Sequence, residues 1–82
     1  MNVKTLKAIS YITSVAAEEL YILQWIMILN KVFPDGIPEK AKMSDAINYF
    51  VTKFPDFEDR AQDDSQDGLD KLYSDFIEFA LK

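Results

Sequence analysis

Apolar residues recur every three or four positions through the first third of the chain: Leu6, Ile9, Ile12, Ala16, Leu20, Leu23 and Met27. That spacing aligns them on one face of a helix. Within this stretch residues 20–29, LYILQWIMIL, are interrupted only by Gln24. A helix of that composition is apolar on every side and must be covered by its own chain, by a second copy or by another protein. The pattern predicts one long helix from about Val3, capped by Asn2, to about Val32, with Pro34-Asp35-Gly36 as its stop. Ser10, Thr13 and Ser14 can bond to nearby backbone, so a kink or break within residues 10–14 is the alternative.

A second stripe, Met43, Ala46, Ile47, Phe50, Val51 and Phe54, predicts another helix. Asp45, Asn48, Thr52 and Lys53 face away from it. Pro38 suits the first helical position and Ser44 is a competing start; Pro55 disfavours helical geometry at Phe54 and ends the element. Residues 56–67 are polar and acidic, with room for a short helix capped by Asp56 that carries Phe57 and Ala61. A final helix is expected from Gly68 to about Leu81, capped by Asp67 with Asp70 at its third position. Its apolar face is Leu69, Leu72, Tyr73, Phe76, Ile77 and Ala80, widened by Phe79 and Leu81. No strand pattern competes. The expected architecture is all-α: a compact three- or four-helix bundle in one domain spanning residues 1–82, with a long apolar N-terminal helix.

Size makes the uncovered helix matter. A chain of 82 residues buries a modest share of its surface and leans on extra support. With neither Cys nor His, disulfides and thiolate or imidazole metal sites are excluded. A dense core or self-association is the remaining support, and a homodimer or larger assembly is expected. The face carrying Tyr21, Trp25, Ile28 and Val32, opposite Ile9, Leu23 and Met27 on a continuous helical wheel, is the expected contact surface, since Tyr and Trp offer large rigid area with a polar handle.

Charge adds a second candidate surface. The net charge is −5, and its halves differ: residues 1–54 carry +1 and residues 55–82 carry −6. Direct nucleic-acid binding is disfavoured, because affinity for phosphate comes from clustered Lys and Arg. Asp56, Glu58, Asp59, Asp63 and Asp64 are expected at an interface with a basic protein surface. Plain solubility is the simpler reading of the same charge.

Little supports chemistry. Residues 63–68, DDSQDG, resemble the opening of a calcium loop, but the closing twelfth position is Ser74, where a bidentate Glu is needed. A helix cap explains Asp67 and Gly68 without metal. Glu19, near the face of Ile12, Leu23 and Ile26, is the carboxylate closest to a general acid or base, and a Glu at the edge of the core, paired with a Lys or Tyr, is the better explanation of it. No catalytic, cofactor or metal residue is assigned. The longest apolar stretch is too short to span a bilayer, which needs roughly 20 residues, and no signal-peptide pattern opens the chain. The chain therefore reads as a cytoplasmic, non-enzymatic module that binds another protein as an inhibitor, immunity protein, antitoxin-like neutraliser or adaptor. Its alternatives are an acidic nucleic-acid mimic that occupies a DNA-binding protein, and a reversible membrane-associated regulator.

Overall fold

Asn2 opens the first helix, its Oδ1 accepting from the Thr5 amide at 2.9 Å and the Thr5 hydroxyl at 3.0 Å. The computed structural model describes residues 2–82. Within them lie helices α1 (Val3–Glu19), α2 (Ile22–Val32), α3 (Met43–Val51), α4 (Phe57–Arg60) and α5 (Gln66–Leu81), with no strand among the described residues. The protein is an all-α bundle. α1 and α2 both pack on α3 and on α5.

The long N-terminal helix is broken, and not within residues 10–14, which stay helical. Thr13 bonds its hydroxyl back to the Ile9 carbonyl at 2.8 Å and the turn continues. The break falls at Leu20 and Tyr21, both in extended backbone. Gln24 caps the new start. Its side-chain oxygen reaches back to accept from the Tyr21 amide at 2.8 Å, one half of a capping box at the start of α2. The single polar residue of the apolar run is a helix start signal.

α3 begins at Met43, later than Pro38 allows, and Asp45 accepts from the Lys42 amide at 3.2 Å. Phe54 lies beyond the end of α3 yet stays buried, its amide bonded to the Phe50 carbonyl at 2.8 Å. Asp56 precedes α4 in the left-handed region, at φ 58°, and makes no side-chain cap. α5 starts two residues before Gly68. Its cap is Ser65, whose hydroxyl accepts from the Gly68 amide at 3.1 Å, and Asp67 lies inside the first turn.

The core is built from Ala8 and Ile12 of α1, Ile28 of α2, Ala46, Ile47, Phe50 and Val51 of α3, and Leu69, Leu72, Phe76 and Ala80 of α5. Phe54, Phe57 and Ala61 complete it. Phe76 meets Phe50, Phe54 and Phe57 at centroid separations of 6.3, 5.9 and 6.4 Å, the spacing at which aromatic rings attract beyond their buried area. Small residues on α1, Ala8, Ala16 and buried Thr5, let it approach its neighbours closely. Lys31 turns from α2 to the end of α5, where its ammonium donates to the main-chain oxygens of Ala80, at 2.8 Å, and Lys82. Cations are favoured at that negative helix end.

Candidate functional site

The break between α1 and α2 produces two adjoining surface features. The first is the outward face of α2. Ile22, Leu23, Ile26 and Met27 are 79%, 74%, 42% and 49% exposed. Their spacing sets them on one side of the helix, so they form a stripe of large apolar side chains in water. The other side of α2 supports the core: Ile28 is fully buried, and Trp25, Leu29 and Val32 pack against the core from partly buried positions. The residues expected on the free face are therefore divided. Ile28 is inside, Trp25 and Val32 lean inward, and only Tyr21 stands in solvent. The wheel that grouped them assumed one uninterrupted helix. Two extended residues reset its phase, so Leu23 and Met27 do not share the inward face of Ile12.

The second feature is a groove of about 610 Å³ between α1, α2 and α5. Val15, Leu20 and Ile77 give it an apolar lining, and Tyr11, Tyr21 and Tyr73 supply rings. Its charged lining residues are Glu19 and Asp70. Tyr11 donates its hydroxyl to Asp70, and the Gln66 amide donates to both, at 3.0 Å to the Tyr11 oxygen and 2.9 Å to Asp70. The bond to Asp70 and partial desolvation raise the Tyr11 phenol above its usual range. Burial, followed by the negative charge of Glu19, pushes the Tyr73 phenol up to about 12. Both phenols keep their protons at neutral pH, and that of Tyr11 is donated in a hydrogen bond to Asp70. Glu19 makes no ion pair among the described residues. It ends α1 seven residues after Ile12, on the same side of the helix, but is exposed and lines the groove.

The five acids expected at an interface also part company. Asp56, Glu58 and Asp59 line a shallow groove of about 380 Å³ with Val51, Phe54 and Phe57. Asp63 and Asp64 lie outside that groove and make contacts within the chain. Asp63 Oδ1 accepts from the Ser65 hydroxyl at 2.7 Å and the Ser65 amide at 3.2 Å. Those bonds, with the charge of Lys4, hold its carboxyl below its usual value. Asp64 pairs with Lys7 at 3.4 Å. The loop that resembled a calcium site is an ordered helix start, and no group of three or more ligating side chains converges among the described residues.

No helix among the described residues is long and apolar enough to cross a membrane. Comparison with protein-family models, curated proteins and solved structures returned no match. The functional reading therefore stands on the geometry alone. Sequence reasoning missed the groove because it joins residues about sixty positions apart, such as Tyr11 and Asp70. The signal within reach was Gln24.

Proposed function

We propose that this protein is a non-enzymatic cytoplasmic module that acts by binding another protein, as an inhibitor, neutraliser or adaptor does, with self-association through the same surface. The observation that carries this reading is the exposed stripe Ile22, Leu23, Ile26 and Met27 on α2. Contiguous large apolar side chains on a small soluble domain mark contact surfaces, because their exposure costs free energy that association recovers. The two carboxylate-rimmed grooves add polar rims of the kind that surround such centres. Membrane association draws less support: interfacial helices pair an apolar face with Lys and Arg, and α2 offers only Lys31, which is engaged with α5. A phosphate mimic needs one uninterrupted acidic strip, and Asp64 is neutralised by Lys7.

A photo-crosslinking side chain at Leu23, introduced in the native host, tests the reading against the same group at exposed Asn48 on α3. The expected result is a discrete protein adduct at Leu23 and none at Asn48. Light scattering at micromolar concentration should show a mass above the monomer that Leu23→Asp abolishes. No adduct at Leu23, together with a strict monomer, overturns the proposal.

A further inference from the structure

We infer that the groove between α1, α2 and α5 receives a cationic side chain, arginine in preference to lysine, from the protein that docks on the outward face of α2. The inference rests on that docking reading and assigns the chemistry of the partner. Tyr21 lines the groove and is directly followed by Ile22 and Leu23, so one partner segment can reach both features.

Charge complementarity is the first argument. Glu19 and Asp70 face the groove, and no Lys or Arg lines it. The second argument is an electrostatic cost within α1. Glu18 and Glu19 close that helix, and its last turn holds no basic residue. Two carboxylates at the negative end of a helix dipole destabilise it, and an incoming cation reverses the sign of that interaction. The third argument concerns shape. Val15, Leu20 and Ile77 offer apolar surface to a methylene stem, while three tyrosine rings and two carboxylates remain for its head. A guanidinium suits this set better than an ammonium. Its planar fork pairs with carboxylates in two parallel hydrogen bonds and its face stacks on aromatic rings. The bonds among Tyr11, Gln66 and Asp70 hold one side of the groove in place before anything binds, so little ordering remains for the binding step.

Two probes test this on the full chain by amide chemical-shift titration: acetylarginine amide, and a capped amphipathic peptide of leucine, alanine and arginine. Each is paired with its citrulline counterpart, which keeps the shape and removes the charge. Acetylarginine amide should shift the amides of Glu19, Tyr21 and Tyr73 and leave Ile26 and Met27 unmoved. The arginine peptide should shift both groups and bind about tenfold more tightly than the citrulline peptide, the value of one charge-assisted hydrogen bond. Glu19→Gln should remove most of that difference, whereas Glu58→Gln, in the other groove, should leave it intact. Equal binding of the arginine and citrulline forms overturns the inference. If both peptides then still shift α2, docking on that face stands without it. Absence of groove shifts with either arginine probe also overturns it. Unshifted amides elsewhere in Glu19→Gln confirm that this exposed substitution leaves the fold unchanged.

Discussion

Gly68 and Asp63 constrain one another at the start of α5. A Cβ on Gly68 would fall 2.5 Å from Asp63 Cγ and 2.7 Å from the Asp63 carbonyl oxygen. Gly68→Ala should therefore destabilise the protein in urea denaturation, although alanine is the better helix former by about 1 kcal/mol. Ser65→Ala removes the hydroxyl that caps α5 and should cost about 1 kcal/mol. Asp67→Ala should cost less, because Asp67 contributes only its charge in the first turn. Tyr73 gives a pH signature. Its phenol titrates near 10.0 when unfolded and is pushed up to about 12 in the fold by burial and by Glu19. The folded state thus holds the proton more tightly. This contribution is complete below pH 10.0 and is lost as pH climbs towards about 12. Denaturation midpoints should fall across that interval, and Tyr73→Phe should flatten the fall. Phenolate absorbance in Glu19→Gln should rise at lower pH than in the parent. A Tyr73 phenol that titrates unchanged in that variant would remove Glu19 as a cause.

Gln24 caps the start of α2 at the break from α1. Gln24→Ala leaves the Tyr21 amide without its side-chain acceptor, a loss of about 0.5–1.5 kcal/mol. Thermal or urea unfolding should register it, with lost shift dispersion at Leu20 and Tyr21 in amide spectra. An unchanged stability would mean that packing of Leu20 and Trp25 alone sets the break. This element shows where the fold was legible. Periodicity located α3 and α5 and all of their buried residues, because each is a single uninterrupted helix whose apolar stripe fills the core. The all-α class followed from the same pattern. The break was obscured because an all-apolar run carries almost no period, and a wheel drawn through it placed Ile28 on the surface and Leu23 and Met27 inside. Start signals were readable to within a few residues: Ser65 caps α5 where Asp67 was expected, and α3 starts at Met43, one residue before the alternative Ser44 and five after Pro38. The groove was not legible, since its tyrosines and carboxylates meet only through the packing of α1 against α5.

Across the whole molecule, the charge asymmetry of the chain is partly cancelled by folding. Lys7 pairs with Asp64 and Lys4 donates to the Gln62 carbonyl at 3.4 Å across the two halves, while Arg60 pairs with Asp75 at 2.8 Å within the acidic half. Reversal of Asp63 would break its bonds to Ser65, reversal of Asp64 would replace its exposed pair with Lys7 by repulsion, and Lys at Asp56 would force a long side chain into left-handed backbone. Glu58 and Asp59 are the acids free to test long-range attraction. Both are exposed and make no ion pair among the described residues. The double reversal Glu58→Lys/Asp59→Lys moves the net charge from −5 to −1. It should cost no more than about 1 kcal/mol of stability, through the dipole of the short α4. Charge remote from the contact steers encounter, whereas groups inside it set residence time. Against the arginine peptide, the double reversal should slow association several-fold at low salt and leave dissociation unchanged. Glu19→Gln should mainly speed dissociation. High salt should erase the first effect and only weaken the second, because screening acts most strongly between separated, exposed charges. Surface plasmon resonance at two ionic strengths separates the cases. Parent-like association by the double reversal at low salt would reduce the acids of α4 to a solvated face.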